Sequence, residues 1–213
     1  MNESRLRFAS VVLATGNAGK LKEMRAMLSH LPLIVLSPSD CGIESLPVEE
    51  DGETFEANAF RKAMAYMQAL NLPAIADDSG LSVDALGGAP GIHSARYGGG
   101  DLTDQERVRL LLDNLSGVPM HDRTAHFTSA IAFACPDGNG FVAEGECHGY
   151  VTLEESGEGG FGYDPVFFYA PAGCTFAAMP IEEKNRVSHR AVAMRLFVDE
   201  LEKRLGNGQM IEY

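Results

Sequence analysis

The chain has 213 residues, of which 45% are apolar and 22% are charged, so its composition excludes coiled coils, collagen and intrinsic disorder. Its 30 acidic and 17 basic residues give a net charge of −13, which argues against a protein that grips nucleic acid through a broad basic surface. A small anionic substrate is compatible with this charge, because a few local cations suffice to bind one phosphate chain.

The sequence also predicts a cellular location. Its apolar runs are far shorter than the roughly 20 residues that a membrane-spanning helix needs, so no membrane partner is expected. Met1 to Arg7 lack the basic start and apolar stretch of a signal peptide. The four cysteines are widely spaced without a Cys-x-x-Cys pair, which indicates reduced, mostly buried residues. These features predict a cytoplasmic protein.

The first part of the chain has the pattern of a strand, a helix and a second strand. Residues 8–14 (FASVVLA) form a short β-branched apolar run, which predicts a buried strand. Leucine and methionine then recur every three or four residues from Leu21 to Leu31, which predicts one face of a helix that ends at Pro32. Residues 33–36 predict the second strand and complete a βαβ unit.

A second helix and a further strand follow an acidic loop. Residues 54–70 carry apolar side chains at helical spacing, and residues 74–76 predict a short strand. Residues 87–100 are rich in glycine and are therefore predicted to be irregular. Thr103 and Glu106 have the spacing of a capping box, which predicts the start of a third helix.

From residue 125 onward the apolar period changes from that of helices to that of strands. Residues 125–135 and 141–151 predict two strands, and the PDGNG sequence between them is typical of a hairpin turn. Residues 166–169 predict another short strand, and Ser188 is placed to cap a final helix. This order of elements predicts an α/β fold with a mixed sheet rather than a purely parallel one.

The first candidate site is the turn between the first strand and the first helix. Backbone N–H groups and the positive end of the helix point at one spot there, which favours an anion. A plain strand-to-helix turn is the alternative, because the spacing is not that of a P-loop and Leu21 stands where Ser or Thr would bind Mg²⁺. The turn consists of Thr15, Gly16, Asn17, Ala18, Gly19 and Lys20.

Paired carboxylates form the second candidate site. Asp77 and Asp78 follow the strand predicted at 74–76, and ligands of α/β sheets bind at the carboxyl ends of strands. Carboxylate oxygens suit Mg²⁺, which usually takes one or two of them together with substrate phosphates. A solvated Asp-Asp-Ser-Gly turn is the alternative. Glu49 and Glu50 in the acidic loop either add a further carboxylate or form an ordinary solvated charge run.

Residues 157–162 match Gly-x-Gly-x-x-Gly, but they do not indicate a dinucleotide site. That fingerprint must follow a strand and open a helix, whereas Asp164 and Pro165 lead here into a predicted strand. The loop displays Phe161 and Tyr163. It is either a lid that stacks an aromatic ring on a planar base or a plain hairpin loop.

Polar and basic side chains mark two further positions. Asn58 and Lys62 lie one turn apart on the second helix, on the side away from its apolar face. Near the C-terminus, potential cations gather at a predicted helix start, where the helix dipole disfavours them. A local rule broken in this way is common at functional sites, although surface charges on a helix cap give the same pattern. The residues concerned are Lys184, Ser188, His189 and Arg190.

Taken together, these motifs resemble the inosine triphosphate pyrophosphatase family, which includes the bacterial dITP/XTP pyrophosphatases. The resemblance extends over nearly the whole chain, and the motifs stand in the family's order. One departure is Ala57, where many relatives carry Glu, so that Glu56 lies about 100° around the helix. The matching stretches are TGNAGK at 15–20, TFEANAFRKA at 54–63, ADDSGLSVDALGGAPGIHSARY at 76–97, GGFGYDPVFF at 159–168, EK at 183–184 and SHR at 188–190.

The resemblance implies a fold and an activity. The fold is an elongated, two-lobed α/β architecture around a long mixed β-sheet with a central cleft, built by residues 1–213 as one domain. The protein is implied to be a homodimer. The activity is hydrolysis of the non-canonical purine nucleotides ITP, dITP and XTP to the monophosphate and pyrophosphate with Mg²⁺, which cleanses the nucleotide pool.

Carried over by position, the resemblance also implies residue roles. Asp78 is the general base and a metal ligand beside Asp77, with Glu49 or Glu50 as a further ligand. The residues implied to bind the substrate are the turn at 15–20 and Lys62 for the phosphates, and Ser79, Phe161, Gly162, Tyr163, Asp164, Lys184, His189 and Arg190 for the rest of the nucleotide.

Two other functions stay open. A pyrophosphatase of the Maf or septum-inhibition type would act on pyrimidine or modified nucleotides, and the GGFGYDP and SHR segments count against it. A non-catalytic nucleotide-binding protein would not need Lys20, Lys62, Asp77 and Asp78 together.

Overall fold

Seven strands, five α-helices and six short 3-10 helices make up the regular structure of residues 10–49 and 51–205, the part of the chain that a computed structural model describes. The strands are β1 (Ser10–Leu13), β2 (Ile34–Leu36), β3 (Ala74–Val83), β4 (Thr124–Ala134), β5 (Gly140–Val151), β6 (Phe167–Tyr169) and β7 (Cys174–Thr175). They form one sheet in the order β2-β1-β3-β4-β5-β6-β7.

Parallel and antiparallel pairs both occur in this sheet. β1 runs parallel to β2 and to β3, with Val12 opposite Ala74 in the second pair. β5, β6 and β7 pair in antiparallel fashion, with Tyr150 opposite Phe168. The predicted α/β fold with a mixed sheet is therefore confirmed. The elongated shape and the cleft that the resemblance implies stay predictions.

The five helices include one that the sequence patterns did not predict. They are α1 (Ala18–Leu28), α2 (Phe55–Leu70), α3 (Asp104–Asn114), α4 (Ile181–Val187) and α5 (His189–Leu205). The unpredicted helix is α4, whose seven residues are too few for a clear helical period. No helix in the described ranges is long and apolar enough to cross a membrane.

Helix ends follow the predicted capping residues. Thr103 and Glu106 form the full capping box of α3, and Ser188 Oγ accepts a hydrogen bond from Ala191 N at 3.3 Å in α5. The first helix is shorter than predicted because it ends at Leu28. Leu31 lies beyond the helix but is only 8% exposed, so it follows the apolar pattern because it is packed in the core and not because it is helical. The predicted start of the first strand at residues 8–9 lies outside the described residues. So does Gly206, where the sequence predicts the end of the last helix.

The described residues group into two compact units. The first takes its residues from 1–78, 130–144 and 193–213, and the second from 79–129 and 145–192. β3, β4, β5 and α5 each contribute residues to both units. That residues 1–213 act as one domain stays a prediction.

The first unit is packed on both faces of its strands. Val11 and Leu13 of β1 join one apolar cluster, which Met24 of α1 and Phe197 of α5 cover. Val12 joins the opposite cluster, which is covered by α2. This division follows from the alternation of side chains along a strand. Val11 to Leu13 of β1 are therefore buried on both faces, whereas Ile34 of β2 is 60% exposed.

The second unit has one apolar core and one open strand face. Phe127, Phe167 and Phe176 pack within this core in tilted pairs, with ring centroids 4.6 Å apart for the first two and 4.8 Å apart for the last two. In β5, by contrast, residues 145–151 alternate between buried positions and positions open to solvent. One face of this strand therefore presents its side chains to water.

The cysteines are free thiols, as predicted. Cys135 and Cys147 are buried, whereas Cys41 and Cys174 are half-buried, so only two of the four fit the predicted burial. Burial raises the pKa of Cys135 and of Cys147 to about 11, which keeps both thiols protonated near neutral pH.

Arg123 fastens the loop before β4 to the hairpin. Its guanidinium donates to the carbonyl oxygens of Leu115 at 2.8 Å, Val118 at 3.0 Å and Thr152 at 2.8 Å. The residue is only 4% exposed, and burial lowers its pKa. Three backbone acceptors in this region thus depend on one side chain.

We expect Arg123→Met to lower the free energy of unfolding by about 2–4 kcal/mol, because it leaves these carbonyls without their charged donor. Urea denaturation measures the change. Arg109→Met serves as the control, since Arg109 is exposed on α3. Equal losses for the two variants would contradict a clamping role.

Candidate functional site

The turn at residues 15–20 is a capped helix start. Asn17 Oδ1 accepts a hydrogen bond from Lys20 N at 3.1 Å, and Asn17 N donates to Thr15 Oγ1 at 3.2 Å. Gly16 to Gly19 are exposed, so the first N–H groups of α1 lie at the surface. This geometry fits the predicted anion-binding turn.

Two lysines from different helices meet at Asp77. Lys20 Nζ of α1 lies 2.6 Å from Asp77 Oδ2, and Lys62 Nζ of α2 donates to Asp77 O at 3.3 Å. Asp77 is 2% exposed, and Lys62 and Asp78 are half-buried. We name Lys20, Lys62, Asp77 and Asp78 the carboxylate–lysine group, and all four belong to the first unit.

Asp77 and Asp78 lie within a strand and not at its end. The prediction of a strand over 74–76 was too short, because β3 continues to Val83. The alternative of a solvated turn is wrong for the same reason. Asp77 is buried and Asp78 is half-buried, so the two carboxylates differ in their exposure to solvent.

The acidic loop is tied to α2 by Asn58. Its Oδ1 accepts a hydrogen bond from Gly52 N at 2.8 Å, and Asn58 is 1% exposed. The prediction that Asn58 points away from the buried side of α2 was therefore wrong. Gly52 is required at this contact, because an added Cβ would lie 2.7 Å from Asn58 Oδ1. Glu49 is exposed, and Glu50 lies outside the described residues.

The second unit holds a buried ion pair beside an aromatic ring. Lys184 Nζ lies 2.5 Å from Asp164 Oδ2, and the two residues are 4% and 3% exposed. The same carboxylate oxygen accepts a hydrogen bond from Phe161 N at 2.8 Å. Asp164 therefore fixes both a cation and the loop that carries the ring.

Phe161 lies against two buried cations. Its ring centroid is 5.1 Å from Lys184 Nζ and 5.4 Å from Arg190 Cζ, which are cation–π distances. Arg190 is 3% exposed and donates to Ser79 Oγ at 3.3 Å. We name Phe161, Asp164, Lys184 and Arg190 the aromatic–cation group.

His189 completes the buried start of α5. It is 5% exposed and stacks on Phe127, with ring centroids 4.5 Å apart and planes inclined by 14°. Ser188 is also buried. The alternative of surface charges on a helix cap is therefore wrong for His189 and for Arg190.

The glycine-rich loop is anchored at its C-terminal end. Tyr163 Oη donates to Ser94 O at 2.9 Å, and Gly162 N donates to Asp104 Oδ2 at 3.2 Å. Gly160 has a φ of 74°, and a Cβ there would collide with Asp164. Burial raises the pKa of Tyr163, so its hydroxyl remains a donor. The loop leads into β6 rather than a helix, which confirms that it is not a dinucleotide fingerprint.

Comparison with known proteins identifies the family. The family model described as "Ham1 family" matches residues 11–200, which is most of the chain. A protein of Geobacter sulfurreducens named dITP/XTP pyrophosphatase is 48% identical over 192 residues, covering 90% of this chain and 96% of that protein. The chain belongs to the Ham1 family.

Solved structures agree with this membership of the Ham1 family. The Ham1 protein of Staphylococcus aureus superposes with a TM-score of 0.83 at 38% identity, over 91% of this chain and 98% of that one. A structure from Mycobacterium abscessus, titled nucleoside-triphosphatase / dITP/XTP pyrophosphatase, has a TM-score of 0.73 at 38% identity, over 89% and 98% of the two chains. The resemblance stated from the sequence motifs is thus confirmed.

The donor chemistry of this Ham1 family chain fits Mg²⁺ in part. The described residues contain no group of three or more His, Cys, Asp or Glu side chains that could hold a metal. Asp77 and Asp78 nevertheless supply hard oxygen atoms, and Mg²⁺ is usually held by one or two carboxylates plus substrate phosphates. A site completed by the substrate is consistent with this donor set.

Sequence patterns missed two residues that organise these groups, Gly52 and Ser94. Gly52 donates to Asn58, and Ser94 accepts from Tyr163; no apolar periodicity reveals either contact. Asn58 was singled out, but without its contact to Gly52. The sequence signal for a buried Asn58 is its position in α2 next to Ala59, which belongs to the buried face of that helix. For Lys184, the family motif indicated importance but not its partner Asp164.

We expect Asp164→Asn and Lys184→Met each to lower the free energy of unfolding by about 3–5 kcal/mol, because each leaves a buried group without its partner. The double variant should lose clearly less than the two single losses added together. Urea denaturation supplies the double-mutant cycle. Lys203→Met is the control, since its pair with Glu200 is exposed and spans 3.8 Å. Strict additivity of the two losses would contradict direct coupling.

Proposed function

We propose that this Ham1 family chain hydrolyses the non-canonical purine nucleotides ITP, dITP and XTP to the monophosphate and pyrophosphate, and so removes them from the nucleotide pool. The relatives' names support this activity. The observation that carries it in this molecule is the meeting of Lys20 and Lys62 at Asp77, directly before Asp78. Phosphoryl-type transfer depends on positioning and on neutralising negative charge, and cations beside carboxylates can provide both.

The carboxylate–lysine group binds the phosphate chain in this proposal. The exposed N–H groups of residues 15–20 and the positive end of α1 bind phosphate oxygens. Lys20 and Lys62 offset the negative charge that builds on the leaving pyrophosphate. Because Asp77 already holds Lys20, the lysine is oriented before the substrate arrives.

Asp78 acts as the general base. It accepts a proton from the water that attacks the α-phosphorus. Asp77, Asp78 and a glutamate of the acidic loop would hold Mg²⁺, which would supply positive charge against the phosphate oxygens and polarise the phosphorus. Glu49 and Glu50 are the candidates for that glutamate.

The aromatic–cation group, with Ser79 and His189, binds the base. Phe161 offers a partly exposed ring for stacking. Arg190, Lys184 and a ring N–H of His189 are donors, and hypoxanthine and xanthine present an acceptor oxygen at C6 where adenine presents a donor. These protein donors can hydrogen-bond to the C6 oxygen of hypoxanthine or xanthine, whereas the C6 amino group of adenine places a donor against them.

We further propose that the protein works as a cytoplasmic homodimer whose residues 1–213 form one catalytic domain. The family resemblance supports the dimer and the single domain. Four free thiols support a reducing compartment. The net charge of −13 supports a small nucleotide, and not a nucleic acid, as the partner.

A pyrophosphate-release assay with Mg²⁺ tests the activity. We expect turnover of ITP, dITP and XTP and little turnover of ATP or of pyrimidine nucleotides. Preference for a pyrimidine or modified nucleotide would favour the Maf-type alternative. Nucleotide binding without pyrophosphate release would favour the non-catalytic alternative.

Asp78→Asn should lower kcat for ITP by about 10²–10⁴, because the water loses its proton acceptor. Calorimetry should still detect ITP binding, and urea denaturation should show a folded protein. Asp113→Asn, which changes an exposed carboxylate on α3, should keep wild-type kcat. If Asp78→Asn retained more than a tenth of the wild-type rate, another residue would be the base.

Arg190→Met should narrow the ratio of kcat/KM between ITP and ATP by roughly tenfold or more, because it removes a donor that only an acceptor at C6 satisfies. Phe161→Ala should instead lower kcat/KM for both nucleotides together, since stacking does not depend on C6. Circular dichroism verifies that each variant is folded. An equal loss for both nucleotides in Arg190→Met would assign Arg190 to phosphate binding or to structure.

A further inference from the structure

Two histidines face each other on the solvent-exposed side of the β4–β5 hairpin. Val151 N donates to Arg123 O at 2.9 Å, which makes these two residues directly opposed in the antiparallel ladder. His126 lies three residues after Arg123, and His148 lies three residues before Val151. The two histidines therefore also occupy opposed positions, and both belong to the second unit.

The type of pairing brings these side chains close together. Hydrogen-bonded and non-hydrogen-bonded pairs alternate along an antiparallel ladder, so His126 and His148 form a non-hydrogen-bonded pair. Side chains approach most closely at such pairs. The two imidazole centroids are 5.5 Å apart, with ring planes inclined by 39°.

One carboxylate contacts the histidine pair, and a second lines the same pocket. Glu146 Oε2 lies 3.1 Å from His148 Nε2, and Asp84 Oδ2 accepts a hydrogen bond from Thr124 Oγ1 at 2.6 Å. The two histidines and Asp84 line a surface pocket of about 290 Å³. Two imidazoles beside two carboxylates favour a cation over an anion.

We propose that His126 and His148 bind a divalent transition-metal ion of the zinc class. Imidazole nitrogen suits Zn²⁺, Cu²⁺ and Ni²⁺, whereas Mg²⁺ prefers oxygen, so the site is chemically distinct from the carboxylate–lysine group. Two imidazoles bound at about 2.1 Å to one tetrahedral zinc place their centroids roughly 5 Å apart. The observed centroid separation of 5.5 Å is close to this value.

Glu146 acts as a positioning residue for this metal. When a carboxylate accepts a hydrogen bond from one ring nitrogen, the other nitrogen keeps the lone pair that binds a metal. The 3.1 Å contact with His148 provides this arrangement. In the described chain no third His, Cys, Asp or Glu joins such a group, so the metal keeps positions for water.

Calorimetric titration of the tag-free protein with Zn²⁺, in excess Mg²⁺, tests the proposal. We expect wild type to bind one Zn²⁺ that both His126→Gln and His148→Gln lose or bind at least tenfold more weakly. Glu146→Gln should weaken this binding by about 10–100-fold, the usual loss when a hydrogen-bond partner of a ligand is removed. His121→Gln is the matched control, because His121 is an exposed histidine 3.6 Å from a carboxylate of Asp122.

Thermal unfolding gives a second readout. Zn²⁺ should raise the Tm of wild type and His121→Gln but not that of His126→Gln or His148→Gln, because a ligand of the folded state alone stabilises it. Circular dichroism verifies that the variants are folded, and their rates of ITP hydrolysis with Mg²⁺ should match wild type. Equal zinc binding by wild type and both histidine variants, or no zinc binding by wild type, would overturn the proposal whatever the enzyme assay shows.

Discussion

A carboxylate buried in the middle of a strand needs a cation. In the first unit, β1 and α1 position a lysine that provides this cation to Asp77. Removing an isolated carboxylate from water costs several kcal/mol, so an Asp that is 2% exposed requires a partner. Lys20 Nζ at 2.6 Å provides it. The lysine reaches Asp77 because β1 pairs in parallel with β3, and because Asn17 starts α1 directly after β1.

The second unit solves the same problem with different elements. Asp164 is held by Lys184 of α4, and it holds in turn the backbone of Phe161. Short helices have little stability of their own, so α4 depends on such tertiary contacts. Each of the two residue groups is therefore built around a buried acid that orients a lysine.

Local patterns in the sequence predicted most of the elements but not these acids' surroundings. The capping box at Thr103 and the PDGNG turn involve residues close in sequence, and both were found. β3 was cut short at Ala76 because Asp and Ser are poor strand formers, and the compensating lysine lies far away in sequence. The pairing of Asp164 with Lys184 joins residues with no shared period. Motif resemblance located Asp77, Asp164 and Lys184, but their partners are visible only in the folded structure.

The ion pair between Lys20 and Asp77 has a consequence for how ligands influence each other. A polyanion that draws Lys20 toward itself leaves the Asp77 carboxylate short of positive charge, and a cation arriving at that strand restores the balance. If the proposed phosphate and Mg²⁺ sites are occupied together, their binding is thermodynamically linked, and each ligand raises the affinity for the other by the same factor. The buried carboxylate would thereby make two separate binding events cooperative.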